Sequence, residues 1–246
     1  MSNNGTTIAA STYADRSIPD LRVLWIGPTL VILNTIGLWL YEFRFGWSTG
    51  LDSFSPEFQT HWMTVLEGST IVLVASALAA AGYIWRGRDR NLADLEPREE
   101  VRRIIKLVQI LVIFSLMLFA GLSFFTEQTA VWHMTAVRDT DFTPSNIITF
   151  YIAYPCFAFT GLLAFLYAKT RIPFFAAGYS LPFVILAVGS FMLIPNVAFN
   201  EWGHTFWSMD EGFAGPLHWG FVFFGWMTLG VFGVVLQMLG ILRKLL

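Results

Sequence analysis

The chain has 246 residues, 55% of them hydrophobic, 17% aromatic and only 13% charged. Soluble domains carry about 25% charged residues, so this composition excludes one and points to a multi-pass membrane protein. The formal net charge of −2 says little, because the distribution of charge matters more than its sum, and a single cysteine, Cys156, leaves neither a disulfide framework nor a thiolate metal cluster.

Residues 1–22 are polar, rich in Ser, Thr, Asn and Gly, and lack the layout of a cleaved signal peptide. They read as a flexible tail ahead of a transmembrane helical domain over residues 23–246. A span needs about 20 mostly apolar residues. Six such runs are predicted: Val23–Tyr41, Trp62–Trp85, Leu107–Phe125, Ile147–Ala168, Leu181–Phe199 and Leu217–Leu242. Pro28 falls in the first turns of its span, where a membrane helix tolerates it. Gly46, Gly50 and Ser55-Pro56 punctuate a predicted loop, Glu42–Gln59. His61 beside Trp62 reads as an interface anchor. Glu67 lies inside the second run, where an ionisable group is costly and faces protein or water; it is kept as a candidate functional residue.

Arg86–Lys106 is the one strongly charged stretch. Its mixed signs and its Pro97-Arg-Glu-Glu helix start predict a solvated loop leading into an amphipathic helix. With six spans and both termini on one side, thirteen of the fifteen Lys and Arg residues fall on that side, leaving Arg44 and Arg138 opposite. The positive-inside rule then places both termini in the cytoplasm. Loops 125–145 and 200–216 fall together at the outer face.

Those outer loops carry the candidate chemistry. Asn200 and His204 are four apart, hence on one face of a continuing helix, and His218 follows fourteen residues later across a hairpin. Two imidazoles and an amide oxygen there read either as a metal site or as polar hairpin residues with ordinary hydrogen bonds. The other loop offers His133 with Glu127, Asp139 and Asp141, a possible ligand pair; helix capping and pairing with Arg138 account for the aspartates more simply. Thr143-Pro144-Ser145 reads as the cap and first turn of the next helix.

The strings Leu51-Asp-Ser-Phe, Arg88-Asp-Arg-Asn-Leu, Phe124-Phe-Thr-Glu-Gln, Val137-Arg-Asp-Thr-Asp-Phe-Thr-Pro-Ser, Tyr167-Ala-Lys-Thr-Arg, Leu193-Ile-Pro-Asn-Val and Asn200-Glu-Trp-Gly-His-Thr-Phe-Trp occur in this order. They resemble the C subunit of the particulate methane, ammonia and short-chain hydrocarbon monooxygenases, from about residue 40 to about residue 230. The resemblance implies a copper-dependent oxidoreductase, multi-pass in a bacterial inner or intracytoplasmic membrane. It also implies two partners, the family's membrane-embedded A subunit and its cupredoxin-like B subunit, in a trimer of heterotrimers. The implied substrates are O2 and either ammonia or a small apolar molecule, with no nucleic acid.

Two metal constellations come with the family. One, Asn-x3-His with His fourteen residues on, is complete as Asn200, His204 and His218. The other, Asp-x3-His with His thirteen residues on, falls on Thr129, His133 and Asn146. Imidazole is a good copper ligand and a neutral oxygen a weak one, so this second site is degraded unless Glu127 or Asp141 substitutes. Two other readings remain: a scaffolding subunit of the same complex, and a small membrane transporter, which would show mid-membrane charges and internal symmetry.

Overall fold

The computed structural model describes residues 20–135, 142–189 and 219–246, with backbone only for 133–135 and 219–224. Every regular element among them is helical. The elements are α1 (Arg22–Thr49), α2 (Pro56–Arg86), α3 (Pro97–Phe119), α4 (Thr126–Thr135), α5 (Pro144–Asn146), α6 (Tyr154–Arg171), α7 (Pro173–Ala177), α8 (Leu181–Val188) and α9 (Trp219–Leu245). The wide π-helical turn Ala120–Phe125 joins α3 to α4, and a second, Ile147–Ala153, joins α5 to α6. Five stretches are long and apolar enough to cross a membrane: Arg22–Thr49, Pro56–Arg86, Pro97–Trp132, Pro144–Arg171 and Gly225–Leu245. The other expected span, Leu181–Phe199, is described only as far as Gly189.

Helix starts follow the sequence signals. Ser55 caps α2, its hydroxyl accepting from the Phe58 N–H, with Pro56 at the first helical position. Pro97 starts α3 with Glu99 and Glu100 in its first turn, where acidic groups suit the positive end of the helix dipole. The expected loop Glu42–Gln59 is corrected: α1 continues to Thr49 and only residues 50–55 connect it to α2. Tertiary contacts hold those extra two turns helical. Gly46 lies so close to Trp132 that an added Cβ would stand 2.8 Å from the ring. The Trp62 indole N–H donates to the Thr49 hydroxyl at 3.1 Å, and the rings of Trp47 and Trp132 lie 5.1 Å apart.

α3 and α6 form the middle of the bundle. Phe114 and Phe157 are fully buried and meet edge to face at 6.5 Å. Gly161 brings α6 against the Leu186 carbonyl of α8, where a Cβ would stand 2.8 Å from the oxygen. Lipid tails are as apolar as these side chains, so such close packing rather than water exclusion holds the helices together. Gly27 lies against Ile113 as Gly46 lies against Trp132. Both steps are nineteen residues (27 to 46 and 113 to 132), so α1 and the α3–α4 stretch run parallel and in register.

The charged stretch folds onto the opposite end of the bundle from Trp132. Arg103 pairs with Asp89 and Glu99, each at 3.0 Å, and donates to the Arg171 carbonyl at 2.9 Å. The Asp89 N–H bonds the Thr170 carbonyl at 3.1 Å. The α2–α3 loop and the end of α6 therefore share one face of the membrane domain.

Candidate metal centre

Asn200, His204 and His218 lie outside the described residues, as does Asp141. The second constellation is largely described. Its residues stand where the two π-helical turns meet, and a ladder of hydroxyls joins them. The shift from i+4 to i+5 bonding in such turns disturbs the regular pairing of carbonyls, and side chains meet two of those here. Thr126 donates to the Gly121 carbonyl at 2.9 Å and lies 3.0 Å from the Tyr154 hydroxyl. Thr149 donates to the Phe125 carbonyl at 3.0 Å. The Thr149 proton is thereby engaged, so Thr129, at 2.8 Å, is the donor to the Thr149 oxygen; the Ser145 carbonyl lies 3.3 Å from the same Thr129 hydroxyl.

Asn146 is equally committed. It is the third residue of a capping box: its own N–H bonds the Thr143 hydroxyl, and its amide oxygen accepts from the Thr143 N–H and hydroxyl, both at 3.0 Å. An amide oxygen has two lone pairs, and both have donors. Thr129 and Asn146 are buried, at 8% and 7% exposure. They act as a helix tie and a helix cap. His133 stands on α4 one turn beyond Thr129, while Glu127 is solvent- or lipid-exposed. Among the described residues no three or more His, Cys, Asp or Glu side chains converge as a metal site. Thr129 and Asn146, the two donors of this constellation whose side chains are described, are thus neutral oxygens already engaged in hydrogen bonds, the kind of donor that binds copper weakly.

These ties run through the strings that carry the resemblance, Phe124-Phe-Thr-Glu-Gln and Thr143-Pro-Ser, and the whole-chain comparison extends them. The match to the C subunit of ammonia monooxygenase/methane monooxygenase runs over residues 5–246. The chain belongs to that family. It is thus a membrane subunit of the ammonia/methane monooxygenase type. No individual curated protein matches it.

One candidate was hidden by the loop reading. Glu42 sits inside α1, only 5% exposed, and among the described residues its Oε2 has no hydrogen-bond partner. It precedes Gly46 by one turn as Gln128 precedes Trp132, so the register of α1 with α4 puts it level with Gln128 and Thr129. The Trp132 indole N–H, one turn away, is likewise buried and has no partner among the described residues. An acid thus exists at the level of Thr129, but on a different helix. The sequence does not mark it, because Glu42 stands with Arg44, Gly46 and Gly50 in a stretch of loop composition. His61, read as an anchor, has a specific tie as well, its Nε2 lying 2.7 Å from the Tyr41 hydroxyl.

Below this level α1, α3, α6 and the two π-helical turns line a half-open apolar cavity of about 410 Å³, with Gly27, Asn34, Leu38, Met117, Phe125 and Cys156 among its walls.

Proposed function

We propose that the chain is the C subunit of a copper-dependent monooxygenase complex that oxidises methane, a short alkane or ammonia with O2. On this reading it works in a bacterial inner or intracytoplasmic membrane, both termini cytoplasmic. Its partners are the membrane-embedded A subunit and the cupredoxin-like B subunit, in a trimer of heterotrimers. The chain contributes one metal centre, held by Asn200, His204 and His218, and none at Thr129, His133 and Asn146. One observation carries the choice between the two: the Asn146 amide oxygen already accepts two hydrogen bonds within its capping box.

A bound copper would supply O2 activation, with one oxygen atom entering a C–H or N–H bond and the other leaving as water, two electrons coming from an external reductant together with two protons. The chain's own part is to present two neutral imidazoles and an amide oxygen at the outer face while leaving a position open. Trp202, Phe206, Trp207, Phe213 and Trp219 place aromatic residues around this stretch in sequence, suited to keeping water from it. The apolar cavity beneath α4 suits delivery of a small apolar substrate from the lipid. The test is turnover of the purified complex with His204→Ala. This reading expects the variant to assemble with its partner subunits and lose O2-dependent turnover. Full turnover would leave only the scaffolding role.

A further inference from the structure

Glu67 is the one acidic side chain that the described helices expose at hydrocarbon depth. Its depth follows from the bundle itself. The Tyr41–His61 hydrogen bond sets His61 level with Tyr41, three residues inward of Arg44 on α1. Glu67 lies six residues further along α2, about 9 Å deeper at 1.5 Å per residue. It is exposed, and among the described residues it has neither a hydrogen-bond nor an ion-pair partner. A carboxylate at that depth does not face lipid; it is covered by protein or water.

The surface around it is shaped for a helix. Opposite the side of α2 that packs into the bundle (Phe58 and Trp62, both fully buried), the sequence places Thr64, Gly68, Ala75, Ala79 and Gly82, all exposed. A Cβ built on Gly68 or Gly82 meets nothing within 4 Å. Small residues let a second helix approach closely in a membrane. Glu67 flanks this stripe and supplies the charge that selects the partner.

We propose that this face of α2 docks a transmembrane helix of a different polypeptide, one that carries a Lys or Arg side chain opposite Glu67. A second copy of this chain does not satisfy the carboxylate. Two copies related by a twofold axis normal to the membrane would set Glu67 against Glu67, a repulsive pair. No other described face of the chain offers a Lys or Arg at that depth, because every basic residue of the described spans lies near an end. The proposal rests on the reading of the chain as one component of a membrane complex, and it says where that complex joins.

The experiment uses the purified complex in a Cys156→Ala background, with a benzophenone maleimide attached at Gly68→Cys and, separately, at Ala75→Cys. Illumination should join this chain to a different co-purifying polypeptide. Glu67→Lys should lower recovery of that polypeptide at least tenfold, and Glu67→Gln less than threefold. The Cys variants keep Glu67, so they remain informative if Glu67→Lys fails to fold. Adducts between two copies of this chain, or with lipid alone while other polypeptides still co-purify, would overturn the docking face and leave the complex standing. If nothing co-purifies with the unsubstituted chain, the docking face and the multi-subunit reading fall together.

Discussion

Replacing Asn146 with Ala asks whether this residue is a cap or a ligand. The amide oxygen receives the Thr143 N–H and hydroxyl, both at 3.0 Å, and Thr143 is fully buried. In Asn146→Ala the hydroxyl still has the Ser145 hydroxyl at 2.8 Å, so it keeps a partner. The Thr143 N–H does not. A buried donor left dry costs about 1–3 kcal/mol, in line with the roughly 1 kcal/mol typical of a lost cap, so a loss near 2 kcal/mol is expected. Thermal unfolding of the purified complex measures it, and copper per complex is determined on the same sample. The expected outcome is lower stability with unchanged copper. Copper falling with no change in unfolding would make the amide a ligand and refute the reasoning.

Three further outcomes follow from the fold. Glu42→Leu replaces a buried acid whose Oε2 has no partner among the described residues by an apolar side chain of similar size, so the complex should unfold at an equal or higher temperature; a fall in stability together with lost metal would show that the acid holds a cation. The Asp89 carboxyl is held below its ordinary range, first by the Asn91 N–H and then by Arg103. A depressed pKa contributes stability above the unfolded value, lost as pH falls through the folded one. Asp89→Asn should therefore weaken the protein at pH 7 and flatten the acid limb of its stability profile below about pH 4; parallel acid limbs for the two proteins would contradict this. Finally, a reporter fused after Leu246 should be cytoplasmic, and a periplasmic signal would overturn the assigned topology.

Much of the membrane domain is legible in the sequence because lipid imposes simple terms: long apolar runs, charges at their ends, and caps written as Ser55-Pro56 and Thr143-Pro144. The charged loop and the Pro97 helix start are read the same way. The last two turns of α1 are not, since Glu42, Arg44, Gly46 and Gly50 carry loop composition. What makes them helical is remote in sequence: Trp132 against Gly46, and Trp62 on Thr49. The two π-helical turns are equally hidden, because an extra residue in a turn leaves apolar composition unchanged. At the candidate site, Thr129 and Asn146 are recognisable as departures from the family's ligands, but their occupation by Thr149 and Thr143 is a fact of packing.

Copper per complex, measured side by side in His204→Ala, His218→Ala and His133→Ala, bears most directly on the assignment of the metal centre. Losing an imidazole ligand should cost affinity well beyond the 10–100-fold typical of a ligand's supporting contacts. His204→Ala and His218→Ala should each lose the copper held by this chain, while His133→Ala keeps it. Copper lost in His133→Ala and retained in His204→Ala would contradict the assignment and place the metal on α4.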